Sequence, residues 1–256
     1  MKSFYQQSES IKSHYKKVSK SYNNSWEYSH DFVQFLSEKI VLDLELKPTD
    51  TLVDIGCGTG FFTKKICDLV SMIDPTICVD PSKEMIEKIP LQKEFKPLVM
   101  YARDFVKQQE YYNKVLMKHM LHIVKNKSQL IKSLFERLPP NGILLLVMMP
   151  PTTEHPLFEA AIERYEQLQH HYEDIACLFK KVGFKTTVKF IDYPVSIEKT
   201  KYFQMIENYY LTLLSSFTNR EIQEGINELK LKYHSLTYLN FRERYIFLKG
   251  QKPSKK

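Results

Sequence analysis

Short apolar segments alternate along the chain with longer segments in which apolar residues recur every three or four positions. The short segments are rich in Val, Ile and Leu, as in strands buried on both faces of a parallel sheet, whereas the longer period is typical of amphipathic helices. Strands that alternate with helices predict an α/β fold with a doubly wound, mostly parallel sheet. The predicted strands are residues 52–55, 76–79, 98–101, 114–117, 143–149, 186–193 and 244–248.

Helical periodicity also marks the two flanks of this region. Ile11, Tyr15, Val18 and Tyr22 share one face of a predicted N-terminal helix, and a second helix is expected to start near 29 and run towards 46. Between the last two strands, roughly 45 residues rich in Tyr, Phe and Leu have helical spacing. We expect a single domain over 1–256, made of an N-terminal helical segment (1–45), a core (46–193), a helical insertion (194–240), and a last strand with a basic tail (241–256).

A turn rich in glycine follows the first predicted strand. Gly56, Gly58 and Gly60 are three of the seven glycines in the whole chain. Glycine permits a sharp turn and lets a ligand approach the main chain, and the helix predicted after it would direct free N–H groups at that ligand. The spacing does not fit the G-x-G-x-x-G dinucleotide motif, whose third glycine comes one residue later, or the P-loop, because no G-K-[ST] follows.

An acidic residue, Asp80, ends the next predicted strand 24 positions after Gly56. In nucleotide-binding α/β folds, an acid at a similar distance accepts hydrogen bonds from ribose hydroxyls. A carboxylate suits that role because it accepts two O–H donors at once. A helix-capping role for Asp80 or Ser82 is the structural alternative.

Residues 54–60 read DIGCGTG and resemble motif I (D-x-G-x-G-x-G) of the class I S-adenosylmethionine-dependent methyltransferases, and residues 80–85 resemble the D-x-S-x-x-M of that family. The resemblance implies S-adenosylmethionine as cofactor, S-adenosylhomocysteine as product, and a Rossmann-like, seven-stranded sheet with an antiparallel last strand. It implies that Asp54 lies near the methionine moiety, Met85 beside the adenine, and Asp104 at the adenine amino group. The implied cofactor-binding residues are Tyr22, Asp54, Gly56, Cys57, Gly58, Gly60, Asp80, Pro81, Met85, Asp104, Phe105 and Lys118.

The segment after the fourth strand carries the candidates for catalysis. Residues 118–123 read KHMLHI and resemble the L-H-H-[IV] that often follows this strand in the ubiquinone-biosynthesis-like methyltransferases. His119 and His122 are candidate catalytic residues, because histidine titrates near neutral pH and can serve as a general base. A packed, structural histidine is the alternative for His122.

Two helical segments are candidates to cover a substrate. Many small-molecule methyltransferases open with a Tyr-bearing helix that covers the active site, and the N-terminal helix resembles it. We expect this lid, with the helical insertion as a roof over the substrate pocket; simple packing on the core is the alternative. Aromatic side chains there suit an amine or aromatic acceptor. The candidate substrate-binding residues are Tyr15, Trp26, Tyr28, His119, Met149, Met205 and Tyr209.

Composition narrows the class of partner. The formal charge of +7 is spread along the chain, which favours solvated surface charge over a nucleic-acid footprint. The four cysteines lack C-x-x-C spacing, so we expect free, buried thiols in a reducing compartment and no metal site. The sequence shows neither an apolar signal segment nor a membrane span, so we expect a cytoplasmic protein.

Some methyl acceptors are disfavoured by the same segment after strand four. Base-amine methyltransferases carry [DN]-P-P-[YFW] there, and cytosine-carbon methyltransferases need a cysteine nucleophile; KHML has neither. The prediction is an S-adenosylmethionine-dependent methyltransferase that acts on a small molecule, by N- or O-methylation, mainly through alignment and desolvation. A protein or RNA methyltransferase and a non-catalytic cofactor-binding domain stay open as alternatives.

Overall fold

A computed structural model describes residues 30–90, 92–169 and 171–254 of the chain. The predicted N-terminal helix and its candidates Tyr15, Tyr22, Trp26 and Tyr28 lie outside the described residues.

The helices are α1 (His30–Leu44), α2 (Phe61–Val70), α3 (Lys83–Ile86), α4 (Ala102–Phe105), α5 (Lys127–Arg137), α6 (Glu159–Leu168), α7 (Tyr172–Val182), α8 (Lys199–Glu207) and α9 (Asn219–Lys232). The strands are β1 (Leu52–Ile55), β2 (Thr76–Asp80), β3 (Phe95–Val99), β4 (Lys114–Lys118), β5 (Ile143–Met148), β6 (Lys185–Glu198) and β7 (Tyr238–Gln251). Short 3₁₀ helices span Leu121–Ile123 and Thr212–Ser216.

The seven strands form one sheet in the order β3-β2-β1-β4-β5-β7-β6. The neighbouring pairs from β3 through β5 are parallel, and β7 runs antiparallel to β5. This order confirms the predicted fold class, a mostly parallel sheet whose last strand is antiparallel. Because the direction of winding reverses between β1 and β4, the loops that follow these strands diverge and open a crevice at their carboxyl ends.

Three strands differ from the sequence prediction by more than one residue at an end. β6 and β7 are each 14 residues long, whereas 186–193 and 244–248 are predicted, and β3 begins at Phe95 rather than 98. Pro194 argues for an earlier end of β6, because proline cannot donate to a sheet ladder. The loss is tolerated because β6 is the edge strand. The sequence also does not predict α6, whose buried face consists of Ala161 and Tyr165 alone.

The described chain divides into two compact units, and the boundary falls within β6 and within β7. The sheet unit comprises 30–149, 171–191 and 245–254, with Val115, Ile131 and Leu144 fully buried in its core. The helical unit comprises 150–169 and 192–244, and its own core includes Tyr202, Ile206 and Leu229. The predicted single domain, with the insertion as a roof, stays a prediction.

Thr218 caps the start of α9. The Thr218 hydroxyl accepts a hydrogen bond from the Glu221 N–H at 3.3 Å, and the Glu221 carboxylate accepts from the Thr218 N–H at 2.6 Å. This reciprocal pair satisfies donors that a helix start leaves free. Further along α9, a Cβ at Gly225 would lie 2.4 Å from the Phe158 ring, so glycine permits a close approach in the helical unit.

Candidate active site

The turn between β1 and α2 follows a backbone path that favours glycine. Gly56, Gly58 and Gly60 have φ angles of 79°, 56° and 71°, all in the left-handed region. At Gly56 a Cβ would lie 2.7 Å from the Cβ of Met120, closer than two such carbons approach. This position therefore requires glycine both for its φ angle and for the space beside it.

Hydrogen bonds fasten this turn to the end of β2. The Val79 carbonyl accepts from the Gly56 N–H at 2.7 Å and from the Cys57 N–H at 3.2 Å. Asp80 Oδ2 accepts from the Gly58 N–H at 3.0 Å. The glycine turn and the acid that ends β2 thus form one continuous structure at the carboxyl ends of β1 and β2.

Asp80 links this structure to the next helix. Its Oδ1 accepts from the Ser82 N–H at 2.9 Å, and the Ser82 hydroxyl in turn caps α3. Burial raises the pKa of Asp80, and the hydrogen bonds from Ser82 and Gly58 oppose that rise. Because each carboxylate oxygen has two lone pairs, each can accept a second hydrogen bond. The side chain is thus able to receive a pair of hydroxyl donors while it holds the turn.

Asp54 on β1 is only 4% exposed. The Thr63 hydroxyl on α2 donates to its Oδ2 at 2.5 Å, whereas its Oδ1 has no hydrogen-bond partner among the described residues. Burial raises the pKa of Asp54 to about 6, against the opposing effects of Thr63 and the positive charge of Lys118. A cationic donor at Oδ1 would satisfy this oxygen and favour its ionised form.

Lys118 ends β4, the strand that pairs with β1 on the side away from β2. Its ammonium lies 4.0 Å from the centroid of the Phe62 ring on α2, a cation–π contact. Its charge acts on Asp54 and on His119. The crevice between β1 and β4 therefore has the carboxyl group of Asp54 on one side and the ammonium group of Lys118 on the other.

His119 follows β4 in a left-handed conformation, with φ of 53°. The backbone N–H of His119 donates to the Val147 carbonyl at 3.0 Å. Its ring packs edge-on against that of Tyr245, with the ring centroids 5.2 Å apart. Burial, followed by the charge of Lys118, lowers the pKa of His119 well below its usual value. A neutral imidazole of this kind is a weak proton acceptor. His122, by contrast, is exposed on the 3₁₀ helix after β4.

The residues predicted at the adenine follow β2 and β3. Met85 on α3 is buried. Asp104 on α4 pairs with Lys107 at 3.1 Å and with Arg103 at 3.5 Å, and the hydrogen bond from Lys107 lowers the pKa of Asp104. Phe105 is fully buried in the core of the sheet unit, and its role at the adenine stays a prediction.

The remaining predicted residues are dispersed. Cys57 is half-buried within the turn, Pro81 is exposed after β2, and Met149 is half-buried after β5. Met205 and Tyr209 belong to the helical unit, where both pack against its core. The binding roles assigned to these residues stay predictions.

Two side chains at the glycine turn are not predicted from the sequence. Thr63 could have been found from the sequence, since a hydroxyl in the first turn of the helix after the glycines lies within reach of the strand before them. Met120 could not, because its approach to Gly56 depends on the path of the loop after β4.

The four cysteines are free thiols, as predicted, but Cys177 on α7 is exposed rather than buried. Within the described residues, no group of three or more His, Cys, Asp or Glu side chains is arranged to hold a metal ion. Across that same part of the chain, every helix is too short or too polar to cross a membrane.

The strand order, the antiparallel β7 and a glycine turn tied to the acid that ends β2 define a class I S-adenosylmethionine-dependent methyltransferase fold. A family model described as a methyltransferase domain matches residues 23–189, well over half of the chain. The chain belongs to this methyltransferase family.

Individual relatives are more distant. The ubiquinone biosynthesis O-methyltransferase of Pelagibacter ubique is 23% identical over 150 residues, which cover 53% of this chain and 61% of that protein. The malonyl-[acyl-carrier protein] O-methyltransferase of Bacillus anthracis is 27% identical over 96 residues, which cover 37% of this chain and 35% of that protein. A solved structure of Haemonchus contortus phosphoethanolamine N-methyltransferase 2, in complex with phosphomonomethylethanolamine and S-adenosylhomocysteine, matches with a TM-score of 0.55 at 18% identity, over 86% of this chain and 52% of that one. The chain spans less than two thirds of each of these relatives, and the solved structure bears on the fold alone.

Proposed function

We propose that this protein binds S-adenosylmethionine at the glycine turn and transfers its methyl group to a small-molecule acceptor. The observation that carries the proposal is the joined structure of the Gly56–Gly60 turn and Asp80, held by the bond from the Gly58 N–H to Asp80 Oδ2. It presents main chain and carboxylate together at the crevice where ligands of this fold class bind.

The residues present fit this cofactor. The second lone pairs of the Asp80 carboxylate suit the two ribose hydroxyls, and the buried Asp54 Oδ1, which has no partner among the described residues, suits the ammonium group of the methionine moiety. When bound, the cofactor supplies a methyl group activated by a sulfonium. The protein is then required mainly to align the acceptor and to exclude water, so little covalent chemistry is demanded of its side chains.

A small acceptor is supported by the kinds of relative that the chain resembles. The Haemonchus contortus structure holds phosphomonomethylethanolamine, and the Pelagibacter ubique relative is named for ubiquinone biosynthesis. The tyrosines that the sequence predicts at the substrate site would suit an amine or an aromatic acceptor, so these are the two classes we favour.

Labelled methyl transfer tests the proposal directly. The purified protein is incubated with methyl-labelled S-adenosylmethionine and a cell extract separated by size. We expect label in the small-molecule fraction, which then supplies the product for identification. Label in the macromolecular fraction would instead support a protein or RNA methyltransferase. Tight cofactor binding with no transfer to either fraction would contradict the proposal and favour a non-catalytic cofactor-binding domain.

Asp54→Asn is expected to weaken cofactor binding and yet to stabilise the ligand-free protein. Burial raises the pKa of Asp54 to about 6, so the folded state holds this proton more tightly than the unfolded chain does. The protonated carboxyl group therefore contributes to the free energy of unfolding at acid pH, and this contribution is lost as the pH rises through 6. Near pH 8 the neutral amide of Asp54→Asn would raise the free energy of unfolding by about 1–3 kcal/mol. Thermal unfolding and titration calorimetry measure the two effects.

The pH dependence of binding gives an independent check on Asp54. Because a cationic ligand needs the ionised carboxylate, we expect the wild-type Kd to be constant above pH 6 and to rise about tenfold per unit below it. Asp68→Asn, on the exposed face of α2, is the matched control and should alter neither stability nor binding. Wild-type affinity in Asp54→Asn would show that this carboxylate does not contact the cofactor.

A further inference from the structure

Exposed apolar side chains lie where the end of α9 turns into β7, within the helical unit. Residues 230–238, here termed the α9–β7 turn, include Leu231, Leu236 and Tyr238. Leu231 is 77% exposed, Leu236 45% and Tyr238 55%. Single exposed apolar side chains are common on protein surfaces, whereas several within one short segment indicate a surface of interaction.

The packing of α9 does not account for Leu231. Its buried face consists of Ile222, Gly225, Ile226 and Leu229. Leu231 comes two positions after Leu229, which places it about 200° further around the helix axis. The side chain of Leu231 therefore points away from the core that α9 covers and contributes no packing to it.

The α9–β7 turn projects from the helical unit. Residues 234–238 are all exposed, unlike a segment that lines a groove. Its backbone is nevertheless held in place. The Leu236 N–H donates to the Tyr233 carbonyl at 3.0 Å, and the Lys199 ammonium donates to the carbonyls of Tyr233 and His234 at 3.0 and 3.3 Å. The apolar side chains are thus carried on a convex and fixed part of the surface.

The charge around the α9–β7 turn is mainly positive. The last turn of α9 contains Lys230 and Lys232 and no acidic residue, and α8, which begins beside it, contains Lys199 and Lys201 after Glu198. The macrodipole of α9 favours lysines near its C-terminal end, but it does not favour a leucine between them. Lysine has a long apolar stem, so its ammonium can stay at a polar boundary while a neighbouring leucine lies deeper.

We propose that the α9–β7 turn binds the surface of a lipid bilayer that contains anionic lipid. Leu231, Leu236 and Tyr238 enter the boundary between headgroups and acyl chains, and Lys230 and Lys232 lie beside the lipid phosphates. Apolar side chains flanked by lysines bind anionic membrane surfaces through buried apolar area and charge attraction together. Tyrosine suits this boundary because its ring is apolar and its hydroxyl is polar.

A protein partner fits the α9–β7 turn less well. A stable protein interface involves about 20–30 residues a side, with a well-packed apolar centre. Three apolar side chains on a projecting turn fall far short of that, whereas a bilayer needs no complementary groove. This favours a bilayer over a second copy of the chain.

Sedimentation with lipid vesicles tests the proposal on the full chain. Wild type and the double variants Leu231→Ser/Leu236→Ser and Lys230→Gln/Lys232→Gln are mixed with vesicles of phosphatidylcholine, with or without phosphatidylserine. We expect wild type to bind the anionic vesicles more tightly than the neutral ones, and less tightly at high salt. Each double variant should bind the anionic vesicles at least about tenfold more weakly.

Leu42→Ser/Ile73→Ser is the matched control. These two side chains belong to the sheet unit and are 67% and 72% exposed, so the control removes a similar amount of exposed apolar surface elsewhere. It should bind the anionic vesicles as wild type does. Because Leu231→Ser/Leu236→Ser keeps every lysine, its loss of binding separates insertion of the leucines from attraction by the net positive charge. Circular dichroism verifies that each variant folds.

Three outcomes would overturn the proposal. Wild type that binds neither kind of vesicle would exclude a lipid surface. Wild-type affinity in Leu231→Ser/Leu236→Ser, or an equal loss in the control, would show that the chain adsorbs by charge alone. Self-association without vesicles that the two serine substitutions abolish, measured by analytical ultracentrifugation, would assign the α9–β7 turn to contact between copies. Methyl transfer enters none of these measurements, so the proposal and the proposed function fail separately.

Discussion

Asp80→Ala is expected to weaken S-adenosylmethionine binding by about a hundredfold to ten-thousandfold. The substitution removes the proposed acceptor for two ribose hydroxyls, and hydrogen bonds to a charged group contribute about 1.5–3 kcal/mol each, where about 1.4 kcal/mol corresponds to a tenfold change. It also releases the Gly58 and Ser82 N–H groups, which hold the glycine turn against β2. Titration calorimetry with S-adenosylmethionine and S-adenosylhomocysteine measures the loss.

Two further variants define what Asp80 contributes. Asp80→Asn keeps a carbonyl acceptor of the same size, so it should retain part of the affinity while losing the charge. Asp68→Ala removes an exposed acid of α2 that pairs with Lys64 at 3.1 Å, and it should bind as wild type does. Affinity in Asp80→Ala equal to that of Asp68→Ala would exclude Asp80 from the cofactor site.

Gly56→Ala is expected to destabilise the sheet unit by about 2–5 kcal/mol. A φ of 79° costs an L-residue about 1–2 kcal/mol, and the added methyl group, 2.7 Å from the Met120 Cβ, forces an overpacked contact that costs about 1–3 kcal/mol more. Chemical denaturation, followed by circular dichroism, gives the change in the free energy of unfolding.

A double-mutant cycle separates these two causes. In a Met120→Gly background the Cβ and Cγ atoms that the new methyl group would meet are both removed. We expect the cost of Gly56→Ala to fall towards the backbone contribution alone. An equal cost in both backgrounds would show that the φ angle, and not Met120, excludes side chains here.

The glycine turn illustrates how much of the site is predictable from local chemistry. Gly56, Gly58 and Gly60 are recognisable because a left-handed backbone restricts the residue type at each position separately. Asp80 is recognisable because it ends a strand at a characteristic distance from the turn. The bond from the Gly58 N–H to Asp80, however, appears only once β1 and β2 pair side by side.

The histidines illustrate the opposite case. The sequence marks both His119 and His122 as candidates, with a packed, structural role as the alternative for His122. In the structure the ring of His119 is buried against Tyr245 with a lowered pKa, and the side chain of His122 is exposed. Burial lowers the pKa of His119, and its ring packs against Tyr245 of β7, which is remote in sequence. His155 Nε2 and Glu243 Oε2 lie 2.9 Å apart in the helical unit, and no motif in the sequence marks either residue.

The sequence by itself therefore determined the alternation of strands and helices, the place of the glycine turn, the acid that ends β2 and the family. Each of these depends on periodicity or on the backbone demands of single residues, which a short segment expresses alone. Only the tertiary structure decided which oxygen of Asp54 has a partner, how closely Met120 approaches Gly56, and that His155 lies beside Tyr210 and Glu243. These features arise where segments distant in sequence pack together, because burial and hydrogen-bond geometry are properties of the packed chain and not of any one segment.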